Sequence, residues 1–295
     1  MADLKILCIG DIMLDVTVLL NRPIVEGLET RARISTQGGG AAANVASWLS
    51  YNKTNSYLVT RVGDDSAGRT VLAELDAFGV EHSNNIIPNI NTGVVVVIVG
   101  AEGERTMFPD SGANSGLGLS DLPDLSQFSA VYLSAYSLIN AESRSGVLEI
   151  IAEINRANLP IILDPATVGV LMEVGVKAAN EWLSFIDTII LNEEESHFLT
   201  GSKNPVDAAA QLLNQVKTVV IKRGSNGALG QTQGGQLIQV EARKTTVVNT
   251  TGAGDAFAAG FISVWAENGP LIDALESGTN LAAKCVALVG ARPLI

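Results

Sequence analysis

The stretch NTTGAGDAF at residues 249–257 sets two threonines, two glycines and one aspartate at the predicted start of a helix. Gly252 and Gly254 permit a tight turn, and unpaired amides at a helix N-terminus bind anions. A carboxylate there repels an anion unless it acts as a general base. Kept ionised by the helix dipole, Asp255 would take a proton from a substrate hydroxyl while the amides stabilise charge on a transferred phosphoryl group. The alternative is that Asp255 only caps the helix.

The stretch QGGGAAANVASWLS at residues 37–50 is a second candidate ligand contact. Its three glycines allow close backbone approach, and Asn44, one turn into the helix that follows, could meet a ligand hydroxyl. Gly38, Gly40 and Ala43 also fit the G-x-G-x-x-A pattern of dinucleotide sites. The preceding RARIST is polar, unlike the buried first strand of a dinucleotide fold, so a dinucleotide-dependent oxidoreductase is disfavoured. A tightly packed helix start explains the same residues.

Two aspartates follow the apolar stretch that begins the chain, in CIGDIMLDV at residues 8–16. Asp11 and Asp15 would lie at the carboxyl edge of a parallel sheet, where open α/β folds bind ligands. Carboxylates there suit hydrogen bonds to sugar hydroxyls. Helix capping or turn formation explains one of the two equally well.

The stretch ILNEEESHFLTG at residues 190–201 runs from a predicted strand into a predicted helix. Asn192 and Glu195 would orient water around a magnesium ion that bridges phosphates, because Mg²⁺ keeps most of its water shell. Acidic residues in a first helical turn are also ordinary. The sequence contains no Walker motif, and His82 and His197 are too few for a histidine metal site or catalytic triad.

Short β-branched runs separated by helix-like segments must position these residues. The runs predicted as buried strands are 5–10, 130–135, 160–164, 188–191 and 218–224, and clear helical spacing occurs at 143–157 and 206–215. Strands that alternate with helices predict a parallel sheet covered on both faces.

Two segments with strand patterns around Gly or Asn turns interrupt that alternation. We expect them, at about 12–38 and 91–112, to form a small antiparallel sheet that acts as a lid over the carboxyl edge, within a single domain spanning 1–295. Arg31, Arg33 and Arg105 on this lid could meet a carboxylate or phosphate of the substrate, although exposed arginines on strands are commonly just solvated.

Composition limits the classes of partner. The 295 residues carry a formal net charge of −12, so nucleic-acid binding is disfavoured because no clustered Lys and Arg are present. Cys8 and Cys285 lack CxxC spacing and are typical of buried thiols in a cytoplasmic protein. No basic leader precedes the first strand, and the longest apolar run, 94–99, is too short to span a bilayer.

Together, GGGAAANVA, NEEE, KRG and NTTGAGDAFAAGF, in this order, resemble the ribokinase-like (PfkB) carbohydrate kinase family over residues 4–293. The resemblance implies a ribokinase-like three-layer α/β/α sandwich with a mostly parallel central sheet and a small β-sheet lid. It also implies ATP as phosphoryl donor, Mg²⁺ as cofactor and a homodimer formed through the lid.

The resemblance assigns roles to individual residues. It makes Asp255 the catalytic base, with the amides of Gly252, Ala253 and Gly254 as the anion hole. It places the sugar beside Asp15, Gly39, Gly40 and Asn44. Asp11 is a further candidate for contact with the sugar because of its position after the first predicted strand. The implied nucleotide-binding residues are Asn192, Lys222, Gly224, Thr251 and Asn280, and Glu195 would approach magnesium through water.

Two departures from the family pattern bear on activation and specificity. Asn249 stands where family members usually have Asp, in a neighbourhood that holds an activating monovalent cation in ribokinases. Potassium dependence is therefore left open, with backbone carbonyls as the remaining ligands. The glycine segment lacks the Lys of the ribokinase pattern GGKGANQA and is nearer to fructokinases and ketodeoxygluconate kinases.

The sequence thus predicts ATP-dependent phosphorylation of a primary hydroxyl on a small sugar or sugar acid. A nucleoside kinase of the same fold is the alternative within the enzyme class. A non-catalytic sugar- or nucleotide-binding regulator is the alternative outside it.

Overall fold

The computed structural model describes residues 4–100, 102 and 104–294. In chain order its strands are β1 Lys5–Ile9, β2 Met13–Leu19, β3 Arg33–Gly39, β4 Asn55–Val59, β5 Arg61–Gly63, β6 Glu81–His82, β7 Asn85–Ile87, β8 Val94–Val99, β9 Arg105–Asp110, β10 Ala130–Ser134, β11 Ile161–Asp164, β12 Thr188–Asn192, β13 Thr218–Lys222, β14 Ala228–Thr232 and β15 Ile238–Val240. Its α-helices are α1 Ala41–Tyr51, α2 Ser66–Phe78, α3 Tyr136–Ile139, α4 Arg144–Arg156, α5 Val168–Leu183, α6 Glu193–Thr200, α7 Pro205–Leu212, α8 Ala253–Trp265 and α9 Leu271–Val286. Within the described residues, no helix is long and apolar enough to cross a membrane.

The central sheet has nine strands among the described residues, in the order β15-β14-β13-β12-β11-β10-β1-β4-β6. Every pair from β6 to β13 is parallel, and β14 and β15 add an antiparallel edge. The strand order changes direction between β1 and β10, because β1 is followed in the chain by β4 on one side and later by β10 on the other. Ligands bind at such a switch point in open α/β sheets.

Alternate residues of the central strands enter two separate cores. Ile6 and Cys8 of β1 pack with α1, α2, α8 and α9 on one face. Leu7 and Ile9 pack with α4, α5, α6 and α7 on the other. Burying each such side chain stabilises the fold by roughly 1.5–3 kcal/mol. The predicted three-layer α/β/α sandwich with a mostly parallel central sheet is confirmed.

A second, smaller sheet has the strand order β3-β2-β8-β9. We expected an antiparallel sheet, and this was wrong for the central pair, because β2 and β8 run parallel. The intervening chain includes α1, α2 and several strands of the larger structure, which gives the long crossover that a parallel pair requires.

The two faces of the small sheet differ in chemistry. Strand register puts Val16, Val18, Ile34, Val96, Ile98 and Phe108 on one face, which we call the outer lid face. Ile34 and Phe108 are exposed there. Asp15 and Arg105 belong to the opposite face, and their contacts with the glycine segment and the turn before α8 show that this face overlies the carboxyl edge of the central sheet.

Candidate active site

Four neighbouring strands of the central sheet end in polar residues at one edge. Ser134 and Asp164 are register partners at the ends of β10 and β11, and Asn192 and Lys222 are partners at the ends of β12 and β13. Because parallel strands present their carboxyl ends at a common edge, this row of side chains forms the floor of a cleft. The turn before α8 and the start of α1 complete it.

The turn before α8 depends on Gly252. Its φ of 79° lies in the left-handed region, and an added Cβ would lie 2.5 Å from the carbonyl oxygen of Ala291. Only glycine fits both conditions. The helix then begins at Ala253, so Asp255 falls in its first turn. Within the described chain the amide of Gly254 has no hydrogen-bond acceptor, whereas that of Ala253 donates to Thr250 O at 3.3 Å.

Among the described residues, the Asp255 carboxyl accepts one hydrogen bond, from Asn44 Nδ2 to Oδ2 at 2.8 Å. Burial raises the pKa of Asp255 to about 8, while the bond from Asn44 lowers it and Asp164 raises it. We expected the helix dipole to keep this carboxyl ionised, and burial works against that expectation because it penalises the charged form. The carboxyl therefore changes charge near neutral pH, where a general base is most effective.

Asn44 reaches Asp255 because the chain reverses sharply at Gly40. An added Cβ on Gly40 would lie 2.5 Å from Asp11 O, and its φ is 93°. Asp11 Oδ2 accepts from the amide of Ala41 at 3.0 Å, and Oδ1 accepts from Ser134 Oγ at 3.1 Å. Of the two aspartates of the first segment, Asp11 is thus the one that caps a helix, and burial raises its pKa.

Asp15 lies on β2 beside the end of β3. An added Cβ on Gly39 would lie 2.3 Å from Asp15 Oδ1, so the carboxylate sits directly against the glycine segment. Burial raises the pKa of Asp15 to about 6, and the nearby Arg292 lowers it. Its oxygens accept no hydrogen bond from the described residues, which leaves them available to donors on a ligand.

Lys222 forms a partly buried ion pair with Asp164 near Asp255. Its Nζ lies 2.8 Å from Asp164 Oδ2, and an added Cβ on Gly254 would lie 3.1 Å from the same nitrogen. Burial lowers the pKa of Lys222, but Asp164 and then Glu195 more than offset this, so the net pKa is raised. The ammonium therefore remains charged next to the glycine turn.

Asn192 and Glu195 form a capping box at the start of α6. Asn192 Oδ1 accepts from the amide of Glu195 at 2.8 Å, and the Glu195 carboxylate accepts from Asn192 N at 2.7 Å and from Nδ2 at 2.6 Å. The hydrogen bonds between Asn192 and Glu195 are therefore those of a helix cap. Burial raises the pKa of Glu195 to about 7, and Lys222 lowers it.

A magnesium ion would not find a ready-made protein cage here. The described residues contain no group of three or more His, Cys, Asp or Glu side chains that could hold a metal ion. Mg²⁺ prefers one or two carboxylates together with water and substrate phosphates. Glu195 and Asp164 suit that mode, and the bonds from Asn192 make water the natural link to Glu195.

The small sheet contacts the turn before α8 through Arg105. Its guanidinium donates to Thr251 Oγ1 at 2.8 Å and to Asn249 Oδ1 at 3.3 Å. Asn249 Oδ1 also accepts from the amide of Thr251 at 2.7 Å. Arg31 and Arg33 are exposed on the lid, and Arg31 meets only Glu29 across 4.0 Å among the described residues.

These contacts do not suit a monovalent cation at Asn249. The side-chain oxygen of Asn249, which stands in place of the usual aspartate, already accepts two hydrogen bonds, one of them from the charged guanidinium of Arg105. An amide also lacks the negative charge of the usual aspartate.

Two predicted nucleotide contacts lie outside this cluster. Gly224 is in the exposed turn after β13, with φ of 54°. Asn280 is exposed on α9 and lines an open groove of about 810 Å³ with Arg243, Lys244 and Thr245.

The sequence did not reveal Asp164, Glu74 or Arg292 as site residues. Asp164 ends a predicted strand, which is the same signal that singled out Asp11, but its role depends on Lys222 from a distant segment. Arg292 is 7% exposed and donates to Glu74, Gly39 and Asn44. A charged residue near the end of the chain gives no sequence signal of that burial.

The fold places a candidate carboxyl base, a glycine turn and a half-buried lysine along the carboxyl edge of its sheet, a combination that suits phosphoryl transfer. The chain belongs to the pfkB family of carbohydrate kinases, since the model described as "pfkB family carbohydrate kinase" matches residues 3–295. It is thus a kinase acting on a hydroxyl group, and the family resemblance and the fold expected from it are confirmed.

Relatives match over nearly the whole chain. An ATP-dependent ribose-1-phosphate kinase from Halopiger xanaduensis is 27% identical over 290 residues, covering 98% of this chain and 94% of its own. A fructokinase from Klebsiella pneumoniae is 30% identical over 294 residues, covering 96% and 92%. The solved ribokinase from Arabidopsis thaliana, complexed with ribose and ATP, has a TM-score of 0.84 at 28% identity over 99% of this chain and 95% of that one.

Proposed function

We propose that this carbohydrate kinase transfers the γ-phosphoryl group of ATP to a primary hydroxyl of a small sugar or sugar acid, with Asp255 as general base. The observation that carries the proposal is the position of Asp255. It lies half-buried in the first turn of α8, next to the glycine turn, and its Oδ2 accepts a hydrogen bond from Asn44 at 2.8 Å. Within the described chain Oδ1 accepts no hydrogen bond, so it is available to an acceptor hydroxyl.

The proposed step is a single in-line displacement. The acceptor O–H proton moves to Asp255, and the acceptor oxygen forms a bond to the γ-phosphorus as the bond from phosphorus to the β,γ-bridging oxygen breaks. ADP leaves with that oxygen. The amides at Gly252, Ala253 and Gly254 would stabilise the developing charge, and those of Gly252 and Gly254 have no acceptor in the described chain.

The sugar would lie between the glycine segment and the lid. Asp15 and Asn44 offer hydrogen-bond groups to its hydroxyls, and Gly39 and Gly40 let the ligand approach the backbone. Asp11 acts there indirectly, since its carboxylate is used to cap α1. Closure of the small sheet over this space would exclude water, so that the sugar and not water attacks ATP.

ATP would extend from the glycine turn toward α9. Lys222 and Thr251 lie beside that turn, Asn192 and Gly224 follow the next strand ends, and Asn280 lines the open groove on α9. Magnesium bound with the nucleotide would supply positive charge to offset that of the phosphates. Glu195, with Asp164, would orient its water ligands.

Two further features follow from the lid. The outer lid face is apolar and partly exposed, which supports homodimerisation by pairing of two such faces. Arg105 brings a positive charge to Asn249, so we propose that turnover does not require potassium.

A cytoplasmic location stays a prediction from the free cysteines Cys8 and Cys285.

The test is ADP release with ATP and magnesium over a panel of acceptors, namely ribose, fructose, tagatose, 2-keto-3-deoxygluconate, fructose phosphates, adenosine and pseudouridine. The Asp255→Asn variant serves as the control for acceptor-independent ATP hydrolysis. We expect one sugar or sugar acid to dominate. Dominance of a nucleoside would replace the substrate class, and ATP binding without turnover of any acceptor would favour a non-catalytic regulator.

A further inference from the structure

A chain of hydrogen bonds runs from α2 through the C-terminal segment to the proposed base. Arg292 Nη1 donates to Glu74 Oε2 at 3.1 Å, and Arg292 Nε donates to Asn44 Oδ1 at 3.2 Å. Asn44 Nδ2 then donates to Asp255 Oδ2 at 2.8 Å. The four residues come from four separate segments of the chain and meet only in the folded protein.

The guanidinium fixes which way the Asn44 amide faces. A guanidinium only donates hydrogen bonds, and an ionised carboxylate only accepts them. Asn44 must therefore turn its oxygen to Arg292 and its nitrogen to Asp255. When Asp255 is ionised, as a general base must be, the flipped amide would set N–H against N–H at Arg292 and oxygen against oxygen at Asp255, so both contacts would be lost together.

Arg292 is itself held from three directions. Its Nη2 donates to Gly39 O at 2.8 Å, in addition to the bonds to Glu74 and Asn44. Glu74 Oε2 also accepts from the amide of Gly38 at 2.8 Å. A planar fork of donors meets all three acceptors, whereas a lysine ammonium is a point charge on a flexible stem.

We propose that Arg292 is a positioning residue for phosphoryl transfer: it locks the Asn44 amide so that the amide holds Asp255 with one oxygen turned to the acceptor hydroxyl. This rests on the proposed role of Asp255 and assigns to the C-terminal segment a part in the reaction. Glu74 anchors the arginine. Neither Arg292 nor Glu74 needs to touch the substrate for this role.

The lock has a measurable consequence for the protonation of Asp255. The bond from Asn44 lowers the pKa of Asp255, so its loss would raise that pKa further. Other charged and titratable groups that act on this carboxyl stay in place when Asn44 turns. They are Asp11, Asp164, Lys222, Tyr132, Tyr136 and Cys285. Arg292 also acts on this carboxyl through its charge, which Arg292→Lys keeps.

Arg292→Lys is the informative substitution, because it keeps the positive charge and removes the fork. We expect the acid limb of the pH profile of kcat to move up by about one pH unit or more, the size expected from a lost hydrogen bond to a charged acceptor. Glu74→Gln, which keeps the bulk of the anchor, should move it in the same direction by less. Arg69→Lys, on the exposed side of α2, is the matched control and should leave the limb unchanged.

A second readout needs no catalysis. The difference in unfolding free energy between chains with Asp255 and with Asp255→Asn, followed against pH, reports the titration of Asp255. We expect the bend in this curve, which is the pH at which the free-energy difference changes slope, to lie at higher pH in the Arg292→Lys background. Equal bends in the two backgrounds would overturn the proposal, and so would a shift seen with Arg292→Gln but not with Arg292→Lys, which would show a charge effect alone.

The two proposals fail differently. A shifted bend in a chain that phosphorylates no acceptor would overturn the proposed function, and the positioning role with it, while leaving the orientation of Asn44 established. Suppose the enzyme is active, but Arg292→Lys changes neither the acid limb of the kcat profile nor the pH dependence of the unfolding free energy. That result would overturn the positioning role and leave the kinase activity intact.

Discussion

At the scale of single residues, the candidate site places ionisable carboxyl groups where little water reaches them. Burial raises the pKa values of Asp255, Glu195 and Asp15 to about 8, 7 and 6. A carboxyl whose pKa is raised on folding stabilises the folded state at low pH, and that stabilisation is lost as the pH rises through the folded pKa. The acids that would serve the reaction therefore weaken the fold near neutral pH.

The melting temperature should consequently fall between about pH 5 and pH 8, starting above the ordinary carboxyl pKa of about 4. Asp255→Asn should melt several degrees higher than the parent at pH 8 and no higher at pH 4, because an amide has no charge to bury. Thermal unfolding measured from about pH 4 to pH 8 tests both expectations. Asp207→Asn, an exposed aspartate in the first turn of α7, is the control and should leave the slope unchanged.

At the scale of elements, the turn before α8 depends on one glycine. Gly252→Ala would force a left-handed φ of 79° on alanine and drive its Cβ against Ala291 O. We expect it to lower the unfolding free energy by more than ~2 kcal/mol and to reduce kcat at least tenfold, because the amides at the start of α8 would move. Urea unfolding and steady-state kinetics measure the two effects.

Gly234→Ala separates backbone strain from collision. Gly234 has φ of 70° but nothing within 4 Å of an added Cβ. We expect this control to cost about 1 kcal/mol and to leave kcat unchanged. Equal losses for the two variants would contradict the account of the turn.

Arg105 links the lid to the same turn. Arg105→Met removes both of its hydrogen bonds, and we expect kcat/KM for the sugar to fall about tenfold. Arg33→Met is the control, since Arg33 lies in the same row of the lid and is exposed.

The parent enzyme should turn over equally well in sodium and potassium chloride. A strong requirement for potassium would contradict the role given to Arg105.

The sequence predicted the strands and helices better than it predicted which strands pair and which side chains meet. The buried strands were found because β-branched runs such as 188–191 and 218–224 are short and bounded. The parallel pairing of β2 with β8 was missed, since it joins strands separated by α1 and α2 and leaves no local pattern. Asp164 and Arg292 were missed for the same reason, because the side chains that give them a role, Lys222 and Asn44, are remote in sequence.

At the scale of the whole molecule, the outer lid face predicts the assembly. Register places its apolar side chains together, and Phe108 remains 55% exposed in one chain. We expect a dimer in solution and a monomer after Phe108→Glu, measured by sedimentation velocity over a range of concentrations. Met172→Glu replaces a comparably exposed side chain on α5 and should leave the dimer intact. A monomeric parent would contradict this use of the lid.

The most direct test of the central claim is the turnover of Asp255→Asn on the best acceptor of the panel, with the ATP dissociation constant measured alongside. We expect kcat to fall by roughly 10²–10⁴-fold while ATP binding changes little, since the carboxylate acts on the acceptor hydroxyl. Asp207→Asn should retain the parent kcat. Near-normal turnover by Asp255→Asn would contradict the assignment of Asp255 as the base.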